Sequence, residues 1–239
     1  MFLHLPKCGG TALHEWLASV VGPDELCPER NRMPADLPDD RVDSFRGYRV
    51  FSGHFDPIDA THFPTPQLLF TVFRDPIDRI VSLYDFWRAH DDAFIDEHDL
   101  AGPRFAAAVS FEEFVSAPDP TVVPDLDNTM VRTFTGAIRH RDPIPDPDAA
   151  LAEAIAVVAG FAHVGHVADL EPTVVWLRQA LGLPSGAGGG LERANVRGEW
   201  DQPHMRNVDR TVVTPAAAAA LEPLVHLDRR LVNRFTTTK

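Results

Sequence analysis

Cysteine, basic side chains and long apolar segments are all scarce in this 239-residue chain, and each shortage excludes a class of protein. Cys8 and Cys27 are the only cysteines, too few for a disulfide framework, so a reduced setting is expected. No window approaches the roughly 20 consecutive apolar residues of a membrane span. The opening MFLHLPK lacks the order of charged, apolar and small residues found in a signal peptide. We therefore expect a cytoplasmic protein with no membrane span.

Positive charge is the second shortage, since 22 Lys and Arg stand against 35 Asp and Glu, for a formal net charge of −13. A surface this acidic repels polyanions, and nucleic-acid affinity depends on cationic contacts to phosphates. Nucleic acid is therefore not expected as a partner. A pocket can still concentrate positive charge around one small anion. The sequence does not indicate an oligomeric state.

Short apolar segments alternate with segments of helical periodicity. The predicted strands cover 2–5, 48–52, 67–73 and 161–167. The predicted helix N-caps include Thr11, Asp75 and Ser110. Pro223 is expected to kink or divide the last helix. Strands that alternate with helices predict an α/β fold, here a single domain over 1–239 with a mostly parallel central sheet flanked by helices.

A glycine-containing loop, PKCGGT (6–11), separates the first predicted strand from the first predicted helix. Glycines let backbone N–H groups approach a phosphate, and a helix N-terminus favours negative charge there. Lys7 adds a mobile positive charge and Thr11 adds a hydroxyl donor. Because Lys7 precedes the glycines, the loop is not a Walker A motif, and magnesium-dependent ATP chemistry is not predicted. An ordinary Gly-Gly turn is the alternative interpretation.

A second candidate phosphate-binding segment, FRDPIDRIVSLY (73–84), follows the third predicted strand. Arg74 ends that strand, where ligands bind in open α/β sheets, and its planar guanidinium suits a phosphate. The alternatives are a surface ion pair of Arg74 with Asp75 or Asp78, and a solvated helix position for Ser82.

Together the two segments resemble sulfotransferases that use 3′-phosphoadenosine-5′-phosphosulfate as donor, in particular the uronosyl (heparan sulfate) 2-O-sulfotransferase branch and its bacterial relatives. HLPKCGGTAL (4–13) is similar to their 5′-phosphosulfate loop, although Ala12 stands where they have Ser or Thr. The resemblance implies a P-loop-like nucleotide site in which the phosphosulfate is bound by Lys7, Cys8, Gly9, Gly10, Thr11 and Ala12. It also implies that Arg74 and Ser82 hold the 3′-phosphate.

The same resemblance implies a histidine base after the second predicted strand. In FSGHF (51–55), His54 matches the second histidine of the branch's His-Gly-His motif, and Ser52 replaces the first. A histidine suits removal of a hydroxyl proton near neutral pH, and Lys7 is expected to stabilise the leaving phosphate. His62 is the reserve candidate for the base. A structural hydrogen bond is the alternative role for His54.

Three further residues are weaker candidates that follow from the resemblance. Asn128 and Arg132 are expected to bind the acceptor in a cleft formed by 91–140, with an ordinary polar helix as the alternative. Arg197 is expected to cover the donor from a late loop. No HExxH or paired-cysteine spacing is present, so no metal is expected.

The predicted reaction transfers a sulfuryl group from the donor to a hydroxyl of a sugar, lipid or secondary-metabolite acceptor. A heavily sulfated polymer fits this acidic chain poorly, because it would need a broad basic groove. A nucleotide-dependent kinase on the same scaffold and a non-catalytic nucleotide-binding protein are the rival predictions. Turnover of a labelled donor separates the three.

Overall fold

The computed structural model describes residues 1–31, 38–65, 67–139, 143–191 and 203–236. Within these ranges the chain is α/β, with one parallel sheet flanked by helices. The strands are β1 (Phe2–Leu3), β2 (Ser52–Gly53), β3 (Phe70–Phe73) and β4 (His163–His166). The predicted fold class and the parallel sheet are confirmed, although every strand is shorter than expected.

The strand order in the sheet is β2-β1-β3-β4. Phe2 pairs with Ser52 on one side and with Phe70 on the other, and Phe70 pairs in turn with His163. The chain therefore places β2 on one side of β1 and then returns to place β3 on the other side. This reversal lies between β1 and β3, and open α/β sheets form their ligand crevice at the carboxyl ends of such strands.

The helices fill the connections between strands. The described α-helices are α1 (Gly10–Val20), α2 (Asp39–Asp43), α3 (Pro76–Arg88), α4 (Asp92–Glu97), α5 (Ala101–Ala108), α6 (Phe111–Ser116), α7 (Val123–Leu126), α8 (Thr129–Phe134), α9 (Pro147–Ala159), α10 (Glu171–Ala180) and α11 (Pro215–Thr236). Short 3₁₀ turns occupy Ser44–Gly47, Asp59–His62 and Ala137–Arg139. None of the helices within the described ranges has the length and apolar character that crossing a membrane requires.

Two predicted helix starts are confirmed. The Asp75 side chain accepts the N–H of Asp78 at 3.0 Å, and Pro76 occupies the first turn of α3. Ser110 caps α6 as predicted, and it forms a capping box with Glu113, in which each side chain accepts from the other's backbone N–H.

The predicted cap of α1 is wrong by two residues. The helix begins at Gly10, and its N-cap is Gly9 rather than Thr11. Gly9 has φ 74°, a left-handed conformation that glycine adopts at little cost. Thr11 therefore lies inside the first turn, where its hydroxyl is not used to cap the helix.

Buried side chains form clusters on both faces of the sheet. Leu3 and Phe73 pack with residues of α8, α9 and α11, whereas Phe2, Phe70 and Val72 pack with residues of α1 and α10. The separation follows from the alternation of side chains along each strand. A third cluster joins α3, α5, α6 and α11. Packing on both faces thus fixes the first turns of α1 and α3 at the carboxyl edge of the sheet.

Candidate active site

The loop after β1 is tightly folded before α1 begins. Lys7 has φ 66°, which is uncommon for a residue with a side chain. The backbone N–H of Cys8 donates to the carbonyl of Leu5 at 3.2 Å, and its thiol is fully buried. Burial raises the pKa of the Cys8 thiol to about 12, so it stays protonated at neutral pH. Cys8 therefore shapes the loop from inside instead of acting as a nucleophile.

Arg74 joins the two candidate phosphate-binding segments. It follows β3 directly, and its Nη1 donates to the carbonyl of Lys7 at 3.1 Å. The two segments are far apart in sequence and meet because β1 and β3 are neighbours in the sheet. Ser82 lies two turns into α3 and is buried, which excludes a solvated position for it. The ammonium of Lys7 lies 3.7 Å from the centre of the Phe86 ring, in the last turn of α3.

His54 follows β2 at the same edge of the sheet and is held by His4, which follows β1. Nδ1 of His54 lies 3.0 Å from the carbonyl oxygen of His4, and the two rings stack with centroids 4.3 Å apart. Because a carbonyl only accepts hydrogen bonds, Nδ1 carries the proton and Nε2 of His54 is the basic nitrogen. This tautomer is the one that a base working through Nε2 requires.

His4 is buried against the first turn of α1. A Cβ added to Gly10 would lie within 2 Å of the His4 ring, so only glycine fits there. Burial, and then the positive charges of His54, Arg30 and Lys7, lower the pKa of His4 well below its usual value. His4 is therefore uncharged at neutral pH. Its position directly after a strand and before the Lys7 loop is the signal by which the sequence could have singled it out.

Ser52 occupies the position of the first histidine in the His-Gly-His motif. The imidazole of His14, on α1, lies next to Ser52 instead. Nδ1 of His14 lies 3.1 Å from the hydroxyl of Ser52. Burial, followed by the charge of Arg30, lowers the pKa of His14. The carbonyl of Arg30 accepts the backbone N–H of His54 at 2.6 Å, so Arg30 is tied directly to His54. Lys7, Arg30 and Arg74 thus bring positive charge to this edge of an acidic chain.

Asn128, expected at the acceptor cleft, lies in the interior against α11. Its Oδ1 accepts the N–H groups of Leu227 and Asp228 at 2.8 and 3.2 Å, and its own N–H donates to Leu224. Its Nδ2 lies 3.4 Å from the carbonyl of Pro223, which lies inside the continuous helix α11. These bonds would have to break before Asn128 could contact an acceptor, and that role stays a prediction.

Arg132, the other residue expected to bind the acceptor, is 1% exposed. Its guanidinium pairs with the carboxylate of Asp127 and donates to the Asp127 carbonyl at 2.7 Å. The structure therefore brings Arg132 together with Asp127. Its acceptor contact also stays a prediction.

The remaining candidates lie apart from these residues or outside the described ranges. His62 ends the 3₁₀ turn Asp59–His62, and its Nε2 is buried with no hydrogen-bond partner within the described ranges. Arg197 falls in 192–202, outside the described residues. The loop that leads to it is held by Arg178, which donates to the carbonyls of Ala187 at 3.0 Å and Gly189.

A groove of about 660 Å³ runs between α1 and this late loop. It is lined by Ala12, Glu15, Trp16, Ser19 and residues 188–191. Trp16 is 4% exposed, and its Nε1 has no hydrogen-bond partner within the described part of the chain. The groove starts at the first turn of α1, beside the Lys7 loop.

Comparison with known proteins gives no family for this chain. No protein-family model matches the chain, and a search of curated proteins finds no match.

Proposed function

We propose that this chain is a sulfotransferase that moves a sulfuryl group from 3′-phosphoadenosine-5′-phosphosulfate to a hydroxyl acceptor. The observation that carries the proposal is the hydrogen bond from Arg74 to the carbonyl of Lys7. It joins two candidate phosphate-binding segments at the point where the strand order reverses. The neighbouring strands β1 and β3 bring the two segments together, and the hydrogen bond directs the guanidinium of Arg74 towards the Lys7 loop.

The 5′-phosphosulfate of the donor is assigned to the loop that precedes α1, as in a P-loop-like nucleotide site. The first N–H groups of a helix have no partner within the helix, and its N-terminus favours an anion. Those of Gly10, Thr11 and Ala12 supply such donors, with the charge of Lys7 beside them. The N–H of Cys8 already donates to Leu5, so Cys8 supports the site through the shape of the loop.

The 3′-phosphate is assigned to Arg74 and Ser82, and the nucleoside to the groove beside Ala12. Arg74 donates one N–H to the Lys7 carbonyl, and its planar guanidinium has the geometry that suits a phosphate. Ser82 belongs to the same helix that Arg74 precedes. Trp16 and residues 188–191 form the walls of this groove.

His54 is assigned as the general base. The acceptor oxygen attacks sulfur, the bond from sulfur to the phosphate oxygen breaks, and the hydroxyl proton passes to Nε2 of His54. The products are a sulfate ester and adenosine 3′,5′-bisphosphate. Lys7 stabilises the charge that grows on the leaving phosphate, so catalysis rests on positioning and charge stabilisation. The acceptor is a sugar, lipid or secondary-metabolite hydroxyl.

The test is ligand stabilisation combined with turnover. Adenosine 3′,5′-bisphosphate at about 100 times its dissociation constant should stabilise the fold by about 2.7 kcal/mol without metal, and labelled donor should pass sulfate to an acceptor from a hydroxyl panel. Stabilisation by ATP that requires magnesium would favour the kinase. Stabilisation by the bisphosphate with no turnover across the panel would favour a non-catalytic nucleotide-binding protein.

A further inference from the structure

The ammonium of Lys7 occupies a defined place on an aromatic ring. Nζ lies 3.7 Å from the centroid of the Phe86 ring, well inside the roughly 6 Å within which a cation is attracted to a ring face. Phe86 is half-buried in α3 and lies edge-on to His90, with centroids 4.9 Å apart. Its place in α3 and its contact with His90 thus fix the Phe86 ring against which the ammonium lies.

The backbone of Lys7 is fixed from the same helix. A left-handed backbone at a non-glycine residue persists where the surroundings determine it, and Arg74 donates to the Lys7 carbonyl at 3.1 Å. Arg74 immediately precedes the cap of α3 and Phe86 lies in its last turn. The residue that leads into α3 therefore holds the carbonyl of Lys7, and a residue in the last turn of α3 holds its ammonium.

His90 does not compete with Lys7 for the ring. It is 6% exposed, and its Nδ1 lies 3.0 Å from the carbonyl of Phe86. Burial, and then the charges of His204 and Lys7, lower the pKa of His90 despite the hydrogen bonds to carbonyls. His90 is therefore uncharged at neutral pH, and Lys7 is the cation that meets Phe86.

We propose that Phe86 is a positioning residue for Lys7, whose ring holds the ammonium beside the loop. A lysine side chain is long and flexible, and ordering it at the moment of ligand binding costs conformational entropy. A ring that orders it beforehand removes that cost. The consequence for sulfuryl transfer rests on the proposed function, whereas the placement of the ammonium does not.

The placement can be measured because lysine is so rare here. Lys7 and Lys239 are the only lysines, so reductive ¹³C-methylation labels these two amines and the N-terminus. We expect the Lys7 methyl resonance, assigned by its loss in Lys7→Arg, to be shifted upfield by the ring current. Phe86→Leu should abolish the shift, Phe86→Tyr should keep it, and Phe105→Leu, which changes a ring on α5, should not affect it. A Lys7 resonance that Phe86→Leu does not move would overturn the proposal.

The consequence is tested with adenosine 3′,5′-bisphosphate and unmethylated protein. Phe86→Leu should raise the dissociation constant roughly 2- to 5-fold, the usual worth of an exposed cation–π contact, and Phe86→Tyr should restore it. In a Lys7→Ala background, Phe86→Leu should have no further effect. An equal loss in both backgrounds would show that the ring acts by packing alone and would also overturn the proposal. If the wild type binds no bisphosphate, the proposed function fails, and the resonance of Lys7 still decides where its ammonium lies.

Discussion

At the scale of single residues, Nε2 of His54 is the atom on which the proposed proton transfer depends. The carbonyl of His4 fixes the tautomer, so Nε2 is the nitrogen that can take up a proton. We predict that His54→Ala lowers turnover roughly 10²- to 10⁴-fold, the usual contribution of a positioned base. The dissociation constant of adenosine 3′,5′-bisphosphate should stay nearly unchanged, because the base faces the acceptor. Steady-state kinetics and calorimetric titration measure the two quantities.

His62→Ala is the matched control for His54→Ala. It removes an imidazole whose Nε2 is buried in a neighbouring turn, and turnover should stay near the wild-type rate. If His54 had a purely structural role, His54→Ala would instead lower thermal stability and nucleotide binding together, since the His54 ring stacks on His4. A folded His54→Ala variant that turns over normally would remove His54 from the mechanism.

The convergence of Lys7, Arg74 and His54 at one edge follows from a parallel sheet, because Arg74 and His54 come directly after strands and Lys7 lies in the loop that follows β1. Sequence patterns can therefore indicate them one by one. The contacts of His4 with His54 and of Phe86 with Lys7 depend on which strands and helices are neighbours in space. The position of His4 before the Lys7 loop is a local signal, but which residue it contacts is not, and for Phe86 the sequence carries no local signal.

At the scale of elements, the start of a helix is determined by residues close in sequence, whereas the length of a strand depends on a partner strand that is distant in sequence. Asp75 and Ser110 cap their helices with groups three residues away, so the sequence predicts both. The apolar residues Leu68 and Leu69 continue the pattern of β3, yet the strand begins at Phe70. Strand length is set by the partner, and β1 has only the residues Phe2–Leu3 to offer. The predicted strands were therefore too long at their ends.

Asn128 shows the same dependence on a distant element. Asn128 lies between α7 and α8, has φ 46° and bonds to α11. We predict that Asn128→Ala lowers the free energy of unfolding by about 2–4 kcal/mol. The loss combines buried backbone groups left unpaired in α11 with a left-handed backbone that alanine adopts poorly. Urea denaturation measures it.

Gln179→Ala, at an exposed position of α10, is the control and should change the free energy of unfolding by no more than about 0.5 kcal/mol. The result also decides the role of Asn128. A residue that only binds acceptor would raise the KM for acceptor in the alanine variant and leave the urea midpoint where it is.

At the scale of the whole molecule, acid should act on stability in two opposite directions. Burial lowers the pKa of His4, His14, His90 and His163, so the fold keeps them neutral while the unfolded chain takes up protons below about pH 6.5. Their contribution to stability is complete above that pH and is lost as the pH falls. Burial raises the pKa of Asp228 to about 6, so the fold binds a proton that the unfolded chain releases. Its contribution therefore grows as the pH falls from about 6 to 4.

We predict that two variants separate these opposing effects. His4→Phe keeps a ring beside Gly10 but cannot titrate, so its urea midpoint should fall less than that of the wild type between pH 7 and pH 5. Asp228→Asn removes the group that gains stability in acid, so its midpoint should fall more. In all three proteins, the wild type and the two variants, the net charge declines from about −13 towards zero near the isoelectric point of about 5.2. The effect of this decline on stability is nearly the same in each and largely cancels in the comparison. Equal slopes in the wild type and His4→Phe would show that His4 is not held neutral by the fold. The His4 ring stacked on His54 would then add a further positive charge to those of Lys7, Arg30 and Arg74 at the candidate site.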